Sequence, residues 1–330
     1  MITTLCQDEL PMSSTIRSTI VVVTDRRYFL PVFVLILSLK YHNVKAYIKV
    51  LGVGLTQEER ELLEQFEHVA VFAGDPSNKR NPASRKAEAM LLAENDDIDS
   101  ISLLDGDCIV TGDITPYLVR HTDGISARKK SKEEDGVVFS DQNKYTSEDQ
   151  YGTVPKSILA VWQRDVGERS ESRIENTVTG GNLSIGMAHL DFIRSWHEQI
   201  MKVLPNKPNK MAYDYSDHAY FQMDESVLNS LLAFKEVVPP VYTGWFDQDP
   251  NAYVAHLGPC NPRYWKFWRC DRLKYYAPVM ALLDWGGKEY SLPTLTWALK
   301  KHYKPVVYSV AYVYEVKNIL KKGAKRILGR

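Results

Sequence analysis

The chain has 330 residues, and its 41 Lys and Arg are matched by 41 Asp and Glu, for a formal net charge of zero. A hydrophobic share of 44% beside 25% charged residues describes a globular protein with a sizeable core. The balance of charge excludes the broad basic field that nucleic acid requires, so specificity has to reside in a local site.

Residues 1–17 read as a leader. Asp8 and Glu9 stand where a secretory signal would be basic and then apolar. Residues 18–24 (STIVVVT) are β-branched with no polar face, which predicts a central parallel strand. Pro31 opens a predicted helix that runs to about residue 40, since proline suits the first helical turn. Its apolar stretch, 29–39, is shorter than the ~20 residues that span a bilayer and reads as a buried helix. A second strand is predicted over 46–53. Thr56 with Glu59 three residues on forms a capping box for a helix over 57–66. A strand over 69–72, a helix over 85–94 and a fourth strand over 101–104 follow. Strands alternating with helices predict a parallel sheet with right-handed crossovers.

In such sheets ligands bind beyond the carboxyl ends of the strands. Thr24-Asp25 and Asp105-Gly106-Asp107 both lie at such ends. Residues two apart in extended backbone point to one side, so Asp105 and Asp107 can face a single hard cation, with Gly106 leaving room for a ligand. Asp-Gly between apolar runs is equally the signature of a hairpin turn, and both readings stand on the local sequence.

Beyond residue 125 the pattern changes. Residues 126–150 are rich in Lys, Glu, Ser and Asp and read as a solvated insertion, or as a mobile lid; 166–176 are similar. Apolar and aromatic residues over 151–164 are expected to pack. A strand with a glycine pair is predicted over 177–186, where Gly180 and Gly181 mark either a close approach to a ligand or a β-bulge. Helices over 188–203 and 220–234 and a short strand over 237–242 follow. A loop over 256–266 gathers His256, Gly258, Arg263 and Lys266; imidazole can ligate a metal, and the two cations can meet phosphate. The remainder is strongly basic from Lys300 onward, with Glu315 its only acid and aromatic residues interleaved. It reads either as a helix packed on the domain or as an attachment to an anionic membrane surface. Cys6, Cys108, Cys260 and Cys270 form no tight pair, which fits a reduced, cytoplasmic compartment, with the basic end resting on the inner face of a membrane if it is an attachment; Cys260 with Cys270 as a zinc half-site is the alternative.

Several of these stretches, in this order, resemble the glycosyltransferases of GT-A fold, and most of all glycosyltransferase family 8. They are Thr24-Asp25-Arg26-Arg27-Tyr28 followed by Pro31, Leu55-Thr56-Gln57-Glu58-Glu59, Arg85 before a helix, Leu104-Asp105-Gly106-Asp107 with Gly112-Asp113-Ile114, Asp224-Glu225-Ser226-Val227-Leu228-Asn229, and His256-Leu257-Gly258 with Pro262 and Trp265. The likeness covers roughly 18–118 and 177–266. Glu225 and Ser226 stand where the family has glutamine and aspartate, Gly180-Gly181 replaces its Asn-x-Gly, and the lysine usually found before Pro-Trp is absent.

The resemblance implies an α/β fold: a mixed, mostly parallel Rossmann-like sheet flanked by helices, in one main domain with a C-terminal helical extension. Its parts would be the leader, a nucleotide-sugar-binding half over 18–120, an acceptor-side half over 121–270 and the basic extension over 271–330. It implies metal-dependent transfer of a sugar, with retention at the anomeric carbon, from a nucleotide sugar (usually UDP-linked) to a glycan or glycolipid hydroxyl. A non-catalytic reader of nucleotide sugars or glycans on the same fold is the alternative. Asp105, Asp107 and His256 would hold Mn²⁺ or Mg²⁺. Thr24, Asp25, Arg85, Gly106, Gly258, Arg263 and Lys266 would contact the donor. Asp224 and Glu225 are the catalytic candidates, against a bland role for Asp224 as a helix cap.

Overall fold

The computed structural model describes residues 16–143, 150–151, 154–208, 218–243, 253–257 and 270–327. In chain order the elements are β1 (Ser18–Asp25), α1 (Phe29–Tyr41), β2 (Tyr47–Val53), α2 (Gln57–Glu64), β3 (Val69–Ala73), α3 (Lys86–Leu91), β4 (Ser100–Leu103), β5 (Cys108–Val110), α4 (Thr115–Leu118) and β6 (Ile125–Lys129). They continue with α5 (Lys132–Asn143), β7 (Gln150–Tyr151), β8 (Val154–Pro155), α6 (Lys156–Val166), β9 (Val178–Gly186), α7 (Leu190–Val203), α8 (Asp224–Phe234), β10 (Val241–Tyr242), β11 (Val254–His256), α9 (Cys270–Glu289) and α10 (Lys304–Ile327).

Seven strands form one sheet in the order β10-β6-β9-β4-β1-β2-β3. β3, β2, β1 and β4 run parallel, as the alternating pattern requires. β9 lies antiparallel between β4 and β6, so the sheet is mixed but mostly parallel. β1 sits inside the sheet with both faces covered, which explains its unbroken apolar run. Ile20 and Val22 face one core with α1 and α9, while Val21 faces another with α3, α6, α7 and α8. α1 is apolar on every side because it is enclosed on every side: residues Phe29 to Leu39 are all buried. α9 packs against it closely, and a Cβ at Gly286 would come within 2.6 Å of Leu37. The capping box at α2 is formed in both directions, with Glu59 N–H donating to Thr56 Oγ1 at 3.1 Å and Thr56 N–H to Glu59 Oε2 at 2.8 Å.

Three expectations need correction. Asp105-Gly106 is not the turn of a hairpin, since β5 leaves the main sheet and pairs antiparallel with β11. Nor is the segment extended: Cys108 N–H donates back to Asp105 C=O at 3.0 Å, so the two aspartates converge through a tight turn. The described residues of 126–150 are not all solvated. Their first part is β6, an interior strand with buried Ser126 and Ala127, and Asp135 of α5 is buried, accepting the Thr177 N–H at 2.8 Å. The charged letters there hid a strand because only Ile125 to Ala127 are buried, and half-buried Arg128 and exposed Lys129 follow at once. His256, expected in a loop, ends β11 directly opposite Cys108.

α10 touches the body through Val307 and Ala311, while Val306, Tyr312, Val313, Ile319 and Leu320 are exposed. Among the described residues no helix is long and apolar enough to cross a membrane.

Candidate active site

The carboxyl ends of β1 and β4 open toward β11 and the start of α8, and charged side chains from five segments meet there. The Asp105–Cys108 turn follows β4. Asp105 N–H donates to Asn182 Oδ1 on the neighbouring β9 at 3.0 Å, which fixes the start of that turn. Asp107 is 7% exposed, and its main-chain carbonyl accepts the Leu257 N–H at 3.0 Å. That bond and the β5–β11 pairing bring His256 to the aspartates across 149 residues of sequence: Nε2 lies 3.2 Å from Asp107 Oδ1 and 3.7 Å from Asp105 Oδ2.

Gly181 on β9 makes this possible, because a Cβ there would collide with Asp105 Oδ2. The glycine pair thus marks a close approach, but of protein carboxylates: Gly180 faces the Cβ of Glu225 in the same way, at 3.0 Å. The pair also lies in a bulge, since Ala127 of β6 faces Leu183 and Lys129 faces Val178, so that β9 carries the extra residues across Gly180 and Gly181. Gly181→Ala is expected to fold and to displace the Asp105 carboxylate from His256, which a crystal structure of the variant measures.

Beyond the aspartates lies Lys86, the first residue of α3. Its ammonium is 2.9 Å from Asp105 Oδ1, 3.3 Å from Asp224 Oδ2 and 3.1 Å from the Gly180 carbonyl. Burial alone would lower its pKa, but Asp105 and Asp224 outweigh that and hold it protonated. Asp224 opens α8, where the helix dipole favours an acid. It caps nothing: the capping position is Met223, with no side-chain bond. Met223 has φ 51°, a conformation that a non-glycine residue adopts at a cost of about 1–3 kcal/mol, and this bend turns Asp224 and Glu225 inward. Asp224 is 3% exposed, and its Oδ2 has no well-directed hydrogen bond despite the nearby ammonium. Burial pushes its pKa up to about 7; Lys86 opposes the rise, and Glu225 and Asp105 add to it. Glu225 is fully engaged, paired with buried Lys130 through Oε1 and accepting the Gly180 N–H at 2.7 Å through Oε2.

The other sequence candidates fall as follows. Thr24 is buried and donates to the Asp25 carbonyl at 3.1 Å. Asp25 accepts the Arg27 and Tyr28 amides at 2.9 and 3.0 Å and pairs with the Arg27 guanidinium, so its carboxylate shapes its own loop. Tyr28, in that loop, has its hydroxyl pKa raised by burial and then by Asp107, which places it beside the acidic pair. Arg85 is buried and bound to Glu88 through two nitrogens at 2.8 and 2.5 Å; its neighbour Lys86, not Arg85 itself, reaches the carboxylates. The space that Gly106 leaves is taken by Val32 of α1, which a Cβ would approach to 2.7 Å. Gly258, Arg263, Lys266 and Cys260 lie outside the described residues. Lys86, Lys130 and Asn182 were not legible in the sequence: a lysine opening a helix or an asparagine inside a strand carries no spacing signal.

The donor set suits a divalent cation. Two carboxylates and an imidazole on one rim are hard and borderline ligands, and Asp107, Cys108 and His256 each offer an atom within 4.8 Å of the others.

No protein-family model matches the chain, and no curated protein sequence matches it. Solved structures do. The bifunctional glycosyltransferase WbbM in its apo form is similar at TM-score 0.45 and 16% identity over 70% of this chain, which spans 40% of the WbbM chain. The galactosyltransferase LgtC in complex with donor and acceptor sugar analogs is similar at TM-score 0.47 and 14% identity, over 87% of this chain and 99% of that one. An active-site mutant of LgtC is similar at TM-score 0.47 and 15% identity, with the same coverage.

Proposed function

We propose that the chain is a metal-dependent glycosyltransferase, moving a sugar from a nucleotide sugar, UDP-linked by the resemblance, to a hydroxyl of a glycan or glycolipid. The observation that carries this is the convergence of Asp105, Asp107 and His256 at the carboxyl rim of a parallel sheet, with buried Asp224 and half-buried Glu225 beside them. The three former residues would hold Mn²⁺ or Mg²⁺. Such an ion supplies, when bound, Lewis-acid stabilisation of the charge that grows on a departing diphosphate.

The chain's own residues do the rest. The loop that Asp25 shapes is the proposed seat of base and ribose. Lys86 keeps Asp105 and Asp224 from repelling one another and holds both at fixed positions. Arg85 shapes the start of α3, where Lys86 sits. Arg263 and Lys266, with Gly258, are proposed to meet the diphosphate from the 256–266 segment. Retention can proceed by a front-face path, in which the leaving phosphate takes the acceptor proton, or by a double displacement through a carboxylate. Glu225 is poorly placed as a nucleophile because both its oxygens are already bound. Asp224, whose Oδ2 meets only the Lys86 ammonium among the described residues, at 3.3 Å, is the better candidate. Glu225→Gln is therefore expected to reduce turnover no more than ~tenfold, about 1.4 kcal/mol, through the weakened Lys130 contact. A drop of several further decades in a steady-state assay would make Glu225 the reacting group instead.

The basic, aromatic stretch 300–330 is proposed to rest on an anionic membrane surface, each cation adding up to about 1 kcal/mol near such a surface. The exposed Tyr312, Val313, Ile319 and Leu320 support this. Deleting 300–330 is expected to remove sedimentation with phosphatidylserine vesicles; equal sedimentation without these residues would refute it.

The decisive experiment incubates the protein with Mn²⁺ and a panel of nucleotide sugars and follows free nucleoside diphosphate. A transferase releases it slowly from one donor, whereas a non-catalytic reader of nucleotide sugars binds and releases none.

A further inference from the structure

We infer that Cys108 is a ligand of the proposed metal site together with Asp107 and His256, so that the site takes a thiophilic divalent cation, Zn²⁺ above all, more tightly than Mn²⁺. The inference rests on the metal reading of that site. Cys108 begins β5, and the β5–β11 register sets it directly opposite His256. Its sulfur lies within 4.8 Å of a carboxylate oxygen of Asp107 and of a ring nitrogen of His256. The side chain is buried and takes part in no disulfide. A spacing of that order suits one shared ion, whose bonds to sulfur and to imidazole nitrogen are typically ~2.3 and ~2.1 Å.

The chemistry follows from ligand softness. Two carboxylates and an imidazole favour hard or borderline ions, and a thiolate adds selectivity for Zn²⁺ and its spectroscopic substitute Co²⁺. On ligation the thiol gives its proton to solvent and its sulfur lone pair to the metal. The step also ends the present bond from Sγ to Asn182 Oδ1, 3.5 Å long, while that oxygen keeps the Asp105 N–H. Asn182 thus links the thiol to the first aspartate, so both ends of the Asp105–Cys108 turn respond to one ion.

The test is Co²⁺ absorption of the full-length protein, read without any activity assay. Wild type with one Co²⁺ bound is expected to show a sulfur-to-cobalt charge-transfer band in the near ultraviolet. Cys108→Ser is expected to bind Co²⁺ without that band, and its preference for Zn²⁺ over Mn²⁺, measured by competition, is expected to fall at least ~tenfold. Calorimetric binding of Co²⁺ to wild type without the band would overturn the thiol ligand and leave the carboxylate–imidazole site standing. Failure of wild type to bind Co²⁺, Zn²⁺ or Mn²⁺ would overturn both. Should Cys108→Ser not fold, Cys108→Ala takes its place, and the wild-type spectrum alone decides between the outcomes.

Discussion

Asp107→Ala is expected to lower sugar transfer by about 10³-fold or more, about 4 kcal/mol of lost transition-state stabilisation, in an assay with saturating Mn²⁺. Asp107 is the more buried of the two aspartates and the nearer to His256. Truncation therefore removes a ligand and leaves the imidazole with the more distant carboxylate. The fold should survive, because the turn is held by main-chain bonds, from Cys108 N–H to Asp105 C=O and from Leu257 N–H to Asp107 C=O. Unchanged circular dichroism with lost turnover is the expected pair of results. An unchanged rate with metal in excess would remove Asp107 from the chemistry.

Lys86→Met is expected to cost about 3–5 kcal/mol of stability, the usual penalty for removing one partner from a buried ion pair. Asp105 and buried Asp224 would then face each other across an apolar side chain. The pH dependence is informative. Burial raises the Asp224 pKa to about 7 in the folded chain, so the folded state holds its proton to higher pH than the unfolded state does. The stability linked to that proton is fully present at low pH and is lost as pH rises through about 7. Without Lys86 the pKa rises further. Denaturant titrations of chelated protein should therefore show the variant's deficit growing from pH 5 to pH 8, and Asp224→Asn in the same chain should recover much of it. A deficit that is flat with pH, or that Asp224→Asn does not relieve, would mean that Lys86 is not balancing Asp224.

The parallel half was legible because each of its elements carries a local cause. The β-branched run of β1, the apolar α1 and the Thr56 cap act within a few residues of themselves. The Asp105-Gly106-Asp107 pair was legible as chemistry but not as geometry: the sequence reads as extended or hairpin, and the backbone makes neither, because β5 is claimed by the distant strand β11, which pairs Ala255 with Ile109. Long-range pairing of that kind leaves no local pattern. The same holds for β6, whose charged letters resemble a surface loop until the partner β9 is known, and for Lys130, whose partner Glu225 stands 95 residues away. His256 was legible as an imidazole able to ligate a metal, but its joining the two aspartates came only through the family resemblance. Met223, whose strained backbone turns the two acids inward, gives no warning, since methionine has no preference for that conformation.

The claim beneath all of this is a single cation gripped by the Asp105–Asp107 turn and by His256. Calorimetric titration of Mn²⁺ into the chelator-treated full chain, into Asp107→Ala and into His256→Ala tests it directly. The account predicts one ion per chain in the wild type and affinity at least ~tenfold weaker in each variant. Equal affinity in all three would contradict it.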